Sequence, residues 1–392
     1  MPSAWLYAIG LDIFSQLTGS SKHNNWDYTL DRAEKNGKKK RRIVGDGSSI
    51  LARPRCIAQG EYEAEVLWVG WSGTLLRIDG SVELRGFSAY ETDDIKSLEL
   101  TDGVGVVGGF GWADLLGIVD SCGHIWRCNP GSTTASILQI DSQLSAAFEN
   151  TVKSVAITGT EQVAVLHDHG ASITTFSSLL EFYAYPETKN NLTNARSRKH
   201  FRHHQQITYI RAGEAHFVAL DLGGQVYTWG ANLHGELLQP LVGSILRPLA
   251  VPALEGTPMR DVATNGFLTA CLSQDTKDVY IWGWTPSTRI IGLPNAGDDV
   301  AGIIDQFDEN EHLVIEHLAV GNGFVVLASS DSQTGELCVW VAGGSDWMNM
   351  LGLPRSETFV KVNGEWSGKR RDQYELSVFC GSASIFVRLD QK

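Results

Sequence analysis

A short motif that keeps returning limits what this chain can fold into more than any other feature. Its clearest copy occupies residues 210–237. Phe217 to Leu220 is a short apolar strand, Asp221 to Gly224 a turn, and Gln225 to Trp229 alternates polar and apolar as a half-buried strand does. A unit this small cannot bury its own face, so its copies must pack on one another. Copies recur at residues 70–84 with an Asp79-Gly80 turn, at 111–126, at 265–282 with a turn at 275–278, and at 321–340 with a longer turn at 329–336. Residues 159–173 are a weaker copy with the turn at 168–170, and residues 381–389 are a half copy.

The missing half is at the other end. Leu6 to Gly10 matches the strand that ends each repeat, and Ile13 to Leu17 matches the loop Leu233 to Leu237. Repeats starting at 70, 111, 159, 213, 265, 321 and 381 are spaced by 41 to 60 residues, enough for a four-stranded blade. The expectation is an all-β chain: a single seven-bladed β-propeller over residues 1–392, closed by pairing the N- and C-terminal strands so that no edge stays open. No long stretch of 3.6-residue periodicity supports an α-solenoid. The 41 glycines, about 10% of the chain against a background near 7%, and the 12 tryptophans suit many short strands and tight turns. Trp126, Trp229, Trp282 and Trp340 read as one repeated core position, and His216 as a structural hydrogen-bonding residue. Residues 20–49, 185–206 and 298–312 read as polar insertion loops.

The net charge of −13 argues against a general nucleic-acid binder, which needs an excess of Lys and Arg. One basic run, Lys38 to Arg42, reads as a solvated loop or a nuclear-import signal. Asp12, Ser15 and Gln16 interrupt the apolar start, and no run of about 18 apolar residues occurs. A cytoplasmic and nuclear location without membrane contact is therefore expected. Cys56, Cys122, Cys128, Cys271, Cys338 and Cys380 are scattered, with no Cys-x-x-Cys pair, and read as free thiols. His200, His203 and His204 read as a solvated loop. No metal, cofactor or catalytic residue is expected: hydrolase, dinucleotide and metalloprotease motifs are missing, and glycine-rich Gly105 to Gly111 has no following Lys-Ser/Thr.

Ala212 to His216, Val226 to Asn232 and Gly235 to Leu237 together resemble the signature of the regulator-of-chromosome-condensation repeat. Within that family, residues 111–126 and 362–386 resemble the fungal alpha-tubulin-suppressor branch. The resemblance implies a monomeric, non-catalytic binding scaffold. It also implies a partner, a small metal-carrying protein of diphthamide synthesis, and a link to Elongator-dependent modification of tRNA wobble uridine. Two alternatives stay open: a guanine-nucleotide exchange factor for a Ran-type GTPase, and a chromatin adaptor partnering a histone demethylase.

Loops at equivalent repeat positions share one face of a propeller, and large aromatics there can anchor a partner. Trp71, Trp112, Phe267, Trp284 and Phe324 follow glycines at repeat starts or strand ends, and Trp347 lies in a loop. These six are the candidate partner-binding residues.

Overall fold

The second strand of each repeat is apolar on both sides, which requires cover on both faces. The computed structural model supplies that cover by stacking sheets. It describes residues 2–11, 50–71, 73–86, 96–97, 105–128, 138–189, 199–202, 205–240, 243–274, 278–295, 298, 300–307, 312–344 and 355–392. Among these, seven four-stranded antiparallel sheets form seven blades. Second strands such as His216–Asp221 and Leu268–Ser273 are buried along their whole length.

Blade I holds Ala64–Val69, Gly73–Ile78, Ser81–Gly86 and Lys96–Ser97. Blade II holds Val106–Phe110, Gly117–Asp120, Ile125–Cys128 and Leu138–Ile140. Blade III holds Ser154–Ile157, Val163–His167, Ser172–Phe176 and Lys199–Arg202. Blade IV holds Ile207–Ala212, His216–Asp221, Val226–Asn232 and Gly243–Ala250. Blade V holds Met259–Asn265, Leu268–Ser273, Val279–Gly283 and Gly302–Ile303. Blade VI holds Leu313–Gly321, Phe324–Asp331, Leu337–Gly343 and Ser356–Val362. Blade VII takes Tyr374–Cys380 and Ser384–Gln391 from the C-terminal side and Ala4–Leu11 and Ile50–Gly60 from the N-terminal side. Its seam runs in unbroken register from Ala4 opposite Asp390 to Gly10 opposite Ser384, the closure expected from the two half repeats.

Seven hydrophobic clusters lie one at each boundary between neighbouring blades. The core is thus a ring of interfaces. At the boundary of blades IV and V, buried His216 places Nε2 2.9 Å from Thr264 Oγ1 and 3.2 Å from Thr269 Oγ1. Burial depresses its pKa to about 3, so the imidazole is neutral. First strands from every blade line a central cavity of about 630 Å³.

Three expectations need correction. Residues 185–206 are not simply loop: Tyr185–Thr188 is a helical turn with buried Tyr185, and Lys199–Arg202 is blade III's outer strand. Similarly, residues 298–312 supply blade V's outer strand. The four tryptophans do not share one position. Trp229 and Trp282 directly precede the positive-φ Gly230 and Gly283. Ala342 holds that place in blade VI, before Gly343. Trp340 sits two residues earlier, level with Tyr227 and Tyr280, and Trp126 matches Tyr227 in its hydrogen bond to the turn aspartate. Residues i and i+2 of a strand face the same side, so both positions feed the core and the spacing alone misleads. Residues 20–49 lie outside the described residues, as do His203 and His204.

Candidate functional site

In an antiparallel blade, the first turn and the loop after the third strand emerge at one end, and the second turn emerges at the other. The rim carrying the first turns is tied around the ring by the backbone. Thr160 N donates to Glu214 O at 3.0 Å, Glu214 N to Gly266 O at 2.6 Å, and Asn322 N to Ser382 O at 3.4 Å. Between blades I and II, the Trp68 indole N–H donates to Gly111 O at 3.1 Å.

Phe267 and Trp284 meet on this rim. Their rings are 5.9 Å apart, edge to face. His234, from the blade IV loop, stacks on Trp284 at 5.0 Å and meets the edge of Phe267 at 4.8 Å. All three are half-buried, with exposed Leu233 beside them. Offset and edge-to-face ring contacts hold such a group rigid at low entropic cost. The loop is fixed from below: His234 N donates to the Glu236 carboxylate at 2.6 Å, and the Trp282 indole donates to Glu236 O at 2.9 Å. His234 was missed in the sequence, although the match of its loop, Leu233 to Leu237, to Ile13 to Leu17 marked the loop as part of the repeat.

Trp71 and Trp112 are half-buried on the neighbouring turns of blades I and II, whose backbones approach closely at Gly70 and Ala113. Trp112 also lines the mouth of the central cavity. The same first turns carry exposed Asp114 and Glu161 and half-buried Glu214. The rim is therefore aromatic and acidic.

Phe324 does not belong with this group. Blade V has Gly266-Phe267 in the turn and begins its strand at Leu268, whereas blade VI has Asn322-Gly323 in the turn and begins its strand at Phe324. Phe324 is thus the counterpart of Leu268 and His216, not of Phe267. A one-residue offset reverses the face a side chain takes, and Phe324 is 1% exposed in the core between blades VI and VII. Trp347 lies outside the described residues.

At the opposite end, the second turn of blade II gathers Asp120, Cys122 and His124. One carboxylate oxygen, the thiol sulfur and an imidazole nitrogen lie within 4.8 Å of one another. The sequence signal, Asp-x-Cys-x-His, was legible, but a search for Cys-x-x-Cys spacing passes over it. Among the described residues no helix is long and apolar enough to cross a membrane.

A family model for the regulator of chromosome condensation (RCC1) repeat matches residues 207–236, which span the inner three strands of blade IV and the start of the loop after them. Blade IV thus carries an RCC1-type repeat within a seven-bladed β-propeller. The mouse RCC1 domain-containing protein 1 is 34% identical over 118 residues, 30% of this chain and 31% of that protein. Its human counterpart is 34% identical over 105 residues, 26% of this chain and 28% of that protein. The aligned part thus spans less than a third of either relative. Among solved structures, yeast RCC1 (Prp20), crystallised bound to Kap60, superposes with a TM-score of 0.68 at 14% identity over 100% of this chain and 90% of that one. At that identity the likeness concerns the RCC1-type fold alone.

Proposed function

We propose that this RCC1-type propeller is a non-catalytic scaffold that binds a protein partner through its aromatic, acidic rim. The observation that carries the reading is the rigid, half-exposed group of His234, Phe267 and Trp284, with Trp71 and Trp112 on the same rim. Large aromatics held in place on a surface are the usual anchors of a protein interface. Carboxylates around them favour a partner with a basic contact patch, and that complementarity speeds and orients association more than it adds affinity.

The finer reading is a small metal-carrying partner from diphthamide synthesis, with a link to Elongator-dependent tRNA modification. Its support is the resemblance of residues 111–126 and 362–386 to the alpha-tubulin-suppressor branch. A second reading is nucleotide exchange on a Ran-type GTPase. It is favoured by the fold shared with yeast Prp20p, which is described as binding Gsp1p and histones.

Capture of the candidate diphthamide-synthesis protein by the purified chain separates these readings. Phe267→Ala with Trp284→Ala is expected to weaken capture at least tenfold with an unchanged circular dichroism spectrum. Undiminished capture by the folded double mutant rejects this rim. Acceleration of nucleotide release from a Ran-type GTPase by the wild-type chain rejects the non-catalytic reading.

A further inference from the structure

The second turns of blades II and IV are built alike. In blade IV, Asp221 Oδ1 accepts from the amides of Gly223 and Gln225, and Oδ2 accepts from the Tyr227 hydroxyl. In blade II, Asp120 Oδ1 accepts from the amides of Cys122 and His124, and Oδ2 from the Trp126 indole. The offsets of two, four and six residues are the same. Folding this turn therefore needs the aspartate and an aromatic donor. It does not need a thiol or an imidazole, because blade IV has Gly223 and Gln225 in those places.

We propose that the blade II turn binds a divalent cation of the zinc type, with Cys122 and His124 as its protein ligands and Asp120 as the group that orients the imidazole. Asp120 is itself buried, and each of its oxygens already receives two contacts, the fourth being His124 Nδ1 at 3.0 Å from Oδ2. An imidazole that donates its Nδ1 proton to a carboxylate presents the lone pair of Nε2, the arrangement found behind metal-bound histidines. His124 is 32% exposed and Cys122 is exposed, so a cation has a path in. Cys128 and Cys271, by contrast, are buried, and burial raises their thiol pKa. One thiolate and one imidazole select zinc-like ions over magnesium or calcium, which require oxygen ligands. Zinc binding releases the thiol proton to solvent, and water or a donor from another molecule fills the remaining coordination positions. This turn lies at the end of the propeller away from the aromatic rim, so the inference is independent of the binding role proposed above.

Titration of the tag-free chain with Co²⁺ tests it. A thiolate-to-cobalt charge-transfer band saturating at one equivalent is expected, bleached by Zn²⁺ and unaffected by Ca²⁺. Cys122→Ser is expected to abolish the band and Cys56→Ser to leave it. His124→Gln places in blade II the residue type of blade IV, so the turn is retained while affinity falls at least tenfold. Asp120→Asn keeps an acceptor for the two amides and weakens affinity by about 10–100-fold, the usual effect of removing an orienting partner. Alkylating Cys122 in the folded wild-type chain is a check that needs no substitution, and it too should remove the band. Failure to form the band in the wild type, its survival in Cys122→Ser, or unchanged affinity in His124→Gln overturns the assignment.

Discussion

Blade IV and blade VII have the same four-stranded plan and opposite histories in the chain. Blade IV draws its strands from one contiguous stretch, Ile207 to Ala250. Blade VII pairs residues 374 to 386 positions apart in sequence. Both keep a positive-φ glycine near the end of the third strand, facing the first residue of the second: Gly230 opposite His216, and Gly10 opposite Ser384. The local geometry of a blade is therefore indifferent to whether its strands are neighbours in sequence. What differs is the entropy of bringing them together, which the rest of the ring must offset.

Removing residues 1–12 is the harshest test of that comparison. It strips Leu6, Tyr7 and Ile9 from the core and leaves the Ser384–Gln391 strand without a partner on one side. Each buried apolar side chain of this size is worth about 1.5–3 kcal/mol. The expected result is loss of cooperative thermal unfolding or a fall of many degrees in Tm. An unchanged Tm rejects the closure.

A matched pair of substitutions measures whether the seam is as firm as the interior. At Gly230 a Cβ would stand 2.5 Å from Ala215 O, and at Gly10 it would stand 2.7 Å from Ala383 O, both with φ above 110°. Gly230→Ala and Gly10→Ala are each expected to cost at least about 2 kcal/mol by denaturant unfolding. A much smaller cost at Gly10 means that the seam yields where blade IV does not.

Acid should act on the interior blades first. The unfolded chain takes up a proton on His216 near pH 6.5, which the folded chain refuses until about pH 3. His167 behaves alike, with burial and then His200 lowering its pKa to about 4. Stability should therefore fall as pH drops below about 6.5, by up to about 1.4 kcal/mol per pH unit for each histidine, and the slope should flatten near pH 3–4. His216→Asn should reduce that slope, as read by Tm between pH 4 and 7. An unaltered slope shows that His216 is not held neutral.

The smallest effect is expected at a side-chain hydrogen bond of the N-terminal strand. Tyr7 hydroxyl donates to the Glu365 carboxylate at 3.0 Å, and burial first, then that carboxylate, raises its pKa. Tyr7→Phe should cost about 0.5–1.5 kcal/mol.

The architecture was legible because the turns repeat: glycine at the first, aspartate at the second, an aromatic in the third strand. Those residues answer local backbone needs, which recur wherever the blade recurs. Positions that depend on register were harder to read. Phe324 and Phe267 both follow glycine, yet that glycine is the second turn residue in blade VI and the first in blade V, so Phe324 opens its strand and points inward. Trp340 and Trp229 look equivalent until they are counted back from their glycines. The group of His234, Phe267 and Trp284 joins residues from two blades, so no short window contains it. The Asp120, Cys122 and His124 group does fit one window, but its aspartate reads as turn chemistry, which it also performs.

The seam also sets a clock on synthesis. The segment Ala4–Leu11 emerges from the ribosome early, and its partner Ser384–Gln391 comes more than 370 residues later. At about 5–20 residues per second, that leaves the strand, with only Ile50–Gly60 to pair with, open along its other edge for roughly 20–75 seconds. Through that interval Trp5, Leu6, Tyr7 and Ile9 present the kind of surface that chaperones hold and that aggregates recruit. Yield in the cell should therefore depend on how fast the last two strands are delivered, even for variants whose finished ring is fully stable.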